Sequence, residues 1–393
     1  MSPYKKNIKL MYIFQFLVGM QFYAGFMIPF YLDWGKLSFA QVTYLQSFYV
    51  FAVFILEIPT GTISDYFGRK TSLIFTALTI SIGYIIYCAP NPTFYTFLLA
   101  EFAFAIGFSL LSGADQALIY DSLKQEKNEK ESKKIFGKFN SFKLIGLMIA
   151  APLGSAIASK IGFRYAALLT IIPFFFAFLI ACFFTEPKTK FTKEKALFFK
   201  TLKSGIHYFA THKALKILAF DMISINTLAI FIIWTHQLIL KQLNFPLIYF
   251  GFVFTLLMGS QTLLLHNFEK LEKIFKSKKN YLLWSAIIPG ISFLILGLNN
   301  NITLAIILIS LIAGFGLSRR TLLQSYMNKH IDSHNRSTVL SSISMLQNLA
   351  KGIFYPLVGL LATWSVNYTM IILGLLTIIF ALFSRVTEEH LID

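Results

Sequence analysis

The stretch GTISDYFGRK, residues 61–70, places an aspartate, an arginine, a lysine and two glycines between two long apolar runs. The neighbouring runs, 43–63 and 71–89, match the roughly 20 helical residues that cross a hydrocarbon core of about 30 Å. Glycine permits a sharp turn and close helix contact where a β-carbon would obstruct both. The stretch therefore predicts a tight polar connection between two membrane helices.

The composition extends this pattern to the whole chain. Of 393 residues, 56% are hydrophobic and 13% are charged, and the mean hydropathy is +0.65. A soluble domain needs a more polar surface than this composition supplies. The apolar runs are continuous, which excludes the alternating strands of a membrane β-barrel. We therefore predict an all-α membrane protein.

Twelve runs are long enough to be predicted as membrane spans, numbered here in chain order. They occupy residues 10–32, 43–63, 71–89, 95–120, 138–158, 165–184, 214–240, 246–265, 281–298, 302–326, 338–362 and 367–384. The first follows a basic start, MSPYKKNIK, and no small-residue cleavage site follows it. We expect it to stay as the first helix of a multi-pass protein.

The positions of the basic residues predict the orientation. Lysine and arginine in short loops resist translocation, and most of the 35 fall in connections on the same side as the N-terminus. Both termini are therefore predicted to be cytoplasmic, in a cytoplasmic (inner) membrane. The net charge of +17 follows from this bias and from contact with anionic membrane lipids, so no nucleic acid is expected as a partner.

A polar connection divides the chain into halves with six predicted spans each. We predict bundles at 1–184 and 214–393, joined by a cytoplasmic linker, 185–213, that contains a basic amphipathic stretch. Ser112–Asp115 of the first half aligns with Ser318–Thr321 of the second. Parallel six-helix repeats are typical of secondary transporters that move one half against the other.

Three motifs resemble one family. Gly61-x-x-x-Asp65-Tyr66-x-Gly68-Arg69-Lys70 is similar to the signature loop of the major facilitator superfamily, although Tyr66 replaces the usual basic residue. SGADQALIYDSL, residues 112–123, and RSTVLS, residues 336–341, resemble a bacterial branch of that family. The resemblance implies two pseudo-symmetric six-helix bundles and transport by alternating access.

The resemblance also implies a gate on the cytoplasmic side. Asp65 would face the start of the eleventh span near Arg336, and Arg69 would bridge Asp65 and Asp121. The predicted gating residues are Gly61, Asp65, Gly68, Arg69, Lys70, Asp121 and Arg336.

In this family the first, fourth, seventh and tenth spans line the central path, which implies a set of substrate-binding candidates. They are Gln15, Gln21, Tyr23, Ser112, Asp115, Ser224, Asn226, Trp234, His236, Gln237, Arg319, Arg320 and Gln324. Adjacent helical residues point about 100° apart, so one of the two arginines is expected to face the cavity, and Arg320, which shares a face with Gln324, is the better candidate.

Carboxyl groups within spans are candidates to carry protons, because a charged side chain is costly there and a proton cancels its charge. Asp115, Glu101 and Asp221 are predicted for this role, Asp115 first. On one continuous helix Glu101, Ser112 and Asp115 would share a stripe. The sequence has no GxxxxGK[ST] loop and no metal-binding histidine pattern, so neither ATP hydrolysis nor a metal or other cofactor is expected.

We therefore expect a monomeric secondary transporter, not an enzyme, that moves a small organic solute together with protons. Proton-coupled efflux of an amphipathic compound is the first hypothesis, because the 17% aromatic residues could line an adaptable pocket. Proton-coupled uptake of an anionic metabolite, or of a metal chelate such as a siderophore, is the alternative. A lipid flippase or a non-transporting receptor is the alternative of another class.

Overall fold

A computed structural model describes residues 2–187, 208, 209, 211–332 and 336–391. Helices make up most of these residues, and none of them lies in a β-strand. The amphipathic stretch predicted within 185–213 falls mainly outside the described residues.

The helices of the first half are α1 (Pro3–Gly19), α2 (Phe39–Phe67), α3 (Arg69–Tyr87), α4 (Phe94–Leu111), α5 (Ala114–Gln125), α6 (Ser132–Ile161), α7 (Phe163–Leu168) and α8 (Ile171–Cys182). Those of the second half are α9 (Lys213–Ala229), α10 (Ile232–Gln242), α11 (Phe250–His266), α12 (Phe268–Ile274), α13 (Lys278–Leu298), α14 (Ile302–Leu311), α15 (Ser318–Lys329), α16 (Arg336–Trp364) and α17 (Val366–Leu382).

Within the described residues, nine helical stretches are long and apolar enough to cross a membrane. They coincide with the predicted spans two to ten, counting α4 with α5, α7 with α8, α9 with α10, and α14 with α15. The other predicted spans coincide with the region around α1, with α16 and with α17, a shorter apolar helix. The number twelve and the orientation of the termini stay predictions.

Five predicted spans are not the single helices that the sequence suggested. The sixth, seventh and tenth divide into α7 and α8, α9 and α10, and α14 and α15, and the first and fourth are interrupted as follows. After α1, the first span continues as short turns, Phe22–Gly25, Met27–Pro29 and Phe30–Trp34. The fourth span breaks between α4 and α5, where Gly113 has φ = 80°, a left-handed conformation that favours glycine. The predicted stripe of Glu101, Ser112 and Asp115 is therefore wrong, because a fixed rotation per residue does not continue through the break.

The described chain forms two compact units. The first is Met1–Lys193 with Pro246–Thr255, and the second is Glu194–Phe245 with Leu256–Asp393. The start of the predicted eighth span belongs to the first unit. There Gly251 N donates to Ser155 Oγ at 3.1 Å, and Thr255 Oγ1 donates to the Met148 carbonyl at 2.8 Å. The boundaries of the two predicted bundles and their linker stay predictions.

Close backbone contact holds α1 against α6 in the first unit. A β-carbon at Gly19 would collide with the carbonyl of Lys143, and one at Gly146 would collide with the carbonyl of Phe16. Small residues let membrane helices approach in this way. Because no hydrophobic effect drives helices together within lipid, this close packing stabilises their contact. The second unit uses the same contact between α13 and α17, where Gly290 and Gly374 lie together.

Candidate functional site

The loop that opened the sequence analysis ends α2 and begins α3. Gly68 has φ = 94°, so the residue at this turn needs the conformational freedom of glycine. Arg69 Nε lies 3.1 Å from Asp121 Oδ2, which brings two predicted gating residues together. The side chain of Asp65, their predicted third partner, is outside the described part of the chain. Arg336, at the start of α16, is exposed.

A carboxylate that the sequence analysis missed caps the start of α3. Glu186 accepts hydrogen bonds from the backbone N–H groups of Arg69 and Lys70, both at 2.8 Å. A negative charge is favourable at a helix N-terminus, where N–H groups lack partners within the helix. Asn7 fixes this segment, because its side-chain amide bonds both the N–H and the carbonyl of Thr185.

The second unit repeats this cap. Glu388 accepts hydrogen bonds from the backbone N–H groups of Lys278 and Lys279 at 3.1 and 2.9 Å, at the start of α13. The sequence contained a signal for this pair of caps, since Thr185-Glu186 and Thr387-Glu388 each follow the last helix of a half. The shared cap is independent structural support for an internal repeat.

Glu101, a predicted proton carrier, lies at the centre of a buried polar cluster in the first unit. Its Oε1 accepts hydrogen bonds from Tyr31, Tyr87 and Gln46 at 2.7, 2.9 and 3.1 Å. The side chain is 4% exposed, and no cation pairs with it among the described residues. Aromatic rings surround the cluster, including that of Tyr23. Tyr31, Tyr87 and Gln46 were not among the predicted site residues.

Asp115, the first choice for proton coupling, has a different environment. It lies in the first turn of α5, half-buried, and its Oδ2 accepts a hydrogen bond from Gln15 Nε2 at 2.6 Å. Lys143 of α6 is close enough to act on it electrostatically. The structure thus brings together two predicted residues, Gln15 and Asp115, beside a cation and next to the helix break at Gly113.

Asp221 and Arg319 form an ion pair inside the second unit. Arg319 Nη2 contacts Asp221 Oδ1, while Arg319 Nη1 donates to the Leu282 carbonyl and the Ser285 hydroxyl. Ser384 Oγ donates to Asp221 Oδ2 at 2.6 Å. The two side chains are 3% and 1% exposed. The predicted proton carrier Asp221 and the predicted ligand Arg319 are therefore paired with each other.

Arg320 and Lys351 are two further cations of the second unit. Arg320 of α15 is half-buried, Lys351 of α16 is 7% exposed, and their positive charges act on each other. No acidic side chain among the described residues pairs with either one. Lys351 was not among the predicted substrate-binding residues, although a lysine within an apolar span indicates a functional residue.

A chain of amides lies one helical turn from Lys351. Gln347, fully buried on α16, donates from Nε2 to Asn226 Oδ1 at 2.6 Å, and Asn226 Nδ2 donates to the Gly316 carbonyl at 3.2 Å. The Oε1 atom of Gln347 is buried without a hydrogen-bond partner within the described chain. Trp234 Nε1 donates to the Tyr355 hydroxyl at 3.0 Å.

The other predicted ligands have mixed environments. His236 and Gln237 are fully buried on α10, and His236 Nδ1 contacts the Ile232 carbonyl at 2.9 Å. Gln21 bonds the Val18 carbonyl at 3.2 Å, and Ser112 is exposed at the helix break. Ser224 and Gln324 are half-buried. Within the described residues no group of three or more histidine, cysteine or acidic side chains could hold a metal ion.

Comparison with known sequences gives two matches. The family model described as Major Facilitator Superfamily matches residues 11–270. An uncharacterized transporter of Buchnera aphidicola subsp. Schizaphis graminum (strain Sg) is 29% identical over 136 residues, which are 35% of this chain and 33% of that protein. The chain therefore matches about a third of that relative's length.

Solved structures match nearly the whole chain. The nucleoside transporter NupG is 12% identical, with a TM-score of 0.77, covering 97% of this chain and 98% of that one. A POT family transporter in complex with 5-aminolevulinic acid is 14% identical, with a TM-score of 0.78, covering 99% and 97%. At these identities the likeness concerns the fold.

Proposed function

The chain belongs to the major facilitator superfamily, and from that premise we propose that it carries a small organic anion across the membrane by alternating access, coupled to protons. The family and the structural neighbours are transporters and not enzymes. The observation that carries the choice of an anion is the pair of cations Arg320 and Lys351, which lack an acidic partner among the described residues.

The energetic cost of this pair supports the proposal. A lysine or arginine at the centre of a membrane helix costs about 2.5–3.5 kcal/mol on insertion scales, and two that repel each other cost more than the sum. A nearby carboxylate is a common structural partner for such a cation, as Asp221 is for Arg319. An anionic solute offsets the cost each time it binds, so two charges that lack an acidic partner among the described residues become the means of recognising it.

The two cations suit different tasks in recognition. The planar guanidinium of Arg320 can hold a carboxylate or phosphate through two parallel hydrogen bonds, whereas the ammonium of Lys351 acts as a point charge. Gln347 lies four residues before Lys351, on the same helix face, with an unused buried acceptor. A solute with a hydroxyl or amine donor beside its acidic group would satisfy that atom.

Proton coupling is assigned to the first unit, with Asp115 as the carrier. Lys143 and Gln15 lie beside its carboxylate, and its half-buried position leaves it reachable by water. Protonation would release Lys143 and change the hydrogen bond from Gln15. Either direction of net transport is compatible with these groups, because the gradients decide it, so flux is to be measured both ways.

Ligand-dependent stability tests the anion proposal. Purified protein is heated with mono-, di- and tricarboxylates, with phosphate esters and with the uncharged amide of each acid. A ligand that binds only the folded state stabilises it by RT ln(1 + [L]/Kd). We expect stabilisation by a subset of the acids and by none of the amides. Equal stabilisation by an acid and its amide would contradict the proposal.

Arg320→Lys is expected to weaken the binding of the most stabilising acid about tenfold. The substitution keeps the charge but loses the pair of parallel hydrogen bonds, and hydrogen bonds to charged groups contribute about 1.5–3 kcal/mol. The measurement is Kd from the stability series and counterflow of that acid in liposomes. Lys329→Arg, the reverse exchange at the exposed end of the same helix, is the control and should leave Kd unchanged. An unchanged Kd in Arg320→Lys would remove the arginine from the site.

We also propose that the pair Arg69–Asp121 stabilises one end state of the transport cycle. Arg69→Gln removes an ion pair and leaves Asp121 without its cation, so the distribution between end states should shift and turnover should slow, with little change in Kd. Distance distributions between one label in each unit, compared with the exposed control Lys124→Gln, measure the shift. Identical distributions together with normal turnover would refute this role.

A further inference from the structure

The second unit contains a cavity of about 530 Å³ between the start of α9 and the end of α17. Neither the proposed anion pair, Arg320 and Lys351, nor the amide chain beside it lines this cavity. It lies where the basic connections predict the cytoplasmic membrane surface.

Three cations lie at the cavity. Lys213, Lys216 and Arg385 line it, all are exposed, and none forms an ion pair with a described residue. Among the described lining residues, Asp221 contributes the only carboxylate. Arg319 pairs with one oxygen of this carboxylate, and Ser384 donates a hydrogen bond to the other. The described wall is therefore positive toward a ligand.

The same cavity has an apolar side. Phe220 and Phe383 line it and are 59% and 74% exposed. On a membrane protein such exposed rings at the end of a span lie against acyl chains and headgroups. A cavity with unpaired cations and exposed aromatic rings at one opening matches an amphipathic ligand better than a dissolved ion.

We propose that this cavity binds an anionic phospholipid, with the headgroup phosphate held by Lys213, Lys216 and Arg385 and the acyl chains lying on Phe220 and Phe383. Arginine holds a phosphate through two parallel hydrogen bonds, and the lysines add charge. The anionic lipids of a cytoplasmic leaflet attract basic residues at its surface, which concentrates the ligand beside the cavity. A dissolved phosphate would use the same cations but would leave the aromatic rings unused.

The test compares lipid with dissolved phosphate on the full-length protein. Thermal stability is measured in phosphatidylcholine nanodiscs as phosphatidylglycerol replaces part of the lipid, and separately with inorganic phosphate and glycerol phosphate in the buffer. We expect saturable stabilisation by phosphatidylglycerol, and none by the dissolved phosphates at millimolar concentration. Equal stabilisation by dissolved phosphate would overturn the lipid assignment, as would the absence of any phosphatidylglycerol effect.

The site is then located with matched variants. The triple variant Lys213→Gln, Lys216→Gln, Arg385→Gln should raise the half-saturating phosphatidylglycerol fraction roughly fivefold for each cation removed. The control replaces Lys270, Lys273 and Lys276, exposed lysines on or beside α12, by glutamine, which changes the net charge equally. If the triple variant does not fold, Arg385→Gln alone should still show a roughly fivefold rise. Equal shifts in the site variant and the control would overturn the proposal.

Discussion

Arg319→Leu is expected to lower the free energy of unfolding by about 3–5 kcal/mol, because it leaves the carboxylate of Asp221 buried without its cation. Within the described chain, Asp221 then keeps only the hydrogen bond from Ser384, which cannot replace a guanidinium at a side chain that is 3% exposed. This is the largest stability effect that we expect from a single charge change in the second unit. The measurement is unfolding in mixed micelles, followed by the fluorescence of the tryptophans.

A double variant separates pairing from packing. Asp221→Leu together with Arg319→Leu removes both charges, and we expect its stability within about 2 kcal/mol of the natural protein, because apolar replacement of a complete buried pair is often neutral. Lys329→Leu, on the exposed end of the same helix, should change stability by no more than about 0.5 kcal/mol. If Arg319→Leu were as stable as this control, the ion pair would contribute nothing to folding and the prediction would be wrong.

Asp115→Asn is expected to abolish accumulation of the transported anion against its gradient, because asparagine cannot take up or release the proton that couples the fluxes. A pH difference of one unit across the membrane supplies about 1.4 kcal/mol for each proton that crosses. At one proton per cycle it can drive roughly tenfold accumulation of the solute. We expect the accumulation ratio of the variant to stay near unity, while downhill exchange continues. The measurement uses liposomes with an imposed pH difference.

Glu101→Gln is the matched comparison for Asp115→Asn. Glutamine retains one oxygen that can accept the hydrogen bonds of Tyr31, Tyr87 and Gln46, so the cluster should persist without a charge. Under the proposed assignment this variant still accumulates solute. Normal accumulation in Asp115→Asn and its loss in Glu101→Gln would transfer the coupling role to Glu101.

Hydropathy was sufficient to predict the helical class and the nine spans that the structure bears out. The motif at residues 61–70 was sufficient to predict the family, and the structure gives a reason for two of its residues: the turn constrains Gly68 and an ion pair constrains Arg69. Both signals can be recognised in short stretches of the sequence. Local sequence therefore predicted the architecture well.

Local sequence could not predict which charged side chains pair with each other. The neighbours Arg319 and Arg320 look equivalent in sequence, yet one meets Asp221, which is 98 residues away, and the other meets no acid among the described residues. The break at Gly113 was also missed, because an isolated glycine within an apolar run is tolerated in many membrane helices. Cross-helix contacts such as those of Glu101 depend on how the helices pack.

The carboxylates Glu186 and Glu388 have a consequence for dividing the polypeptide. Each comes from the end of its own half and caps a helix of that half, so a break in the chain between residues 193 and 194, at the boundary of the two units, would leave both caps intact. The second fragment would still carry Pro246–Thr255, which belongs to the first unit. If the two fragments were co-expressed as separate polypeptides, residues 246–255 of the second fragment would still pack in the first unit. The fragments could therefore associate without a covalent connection.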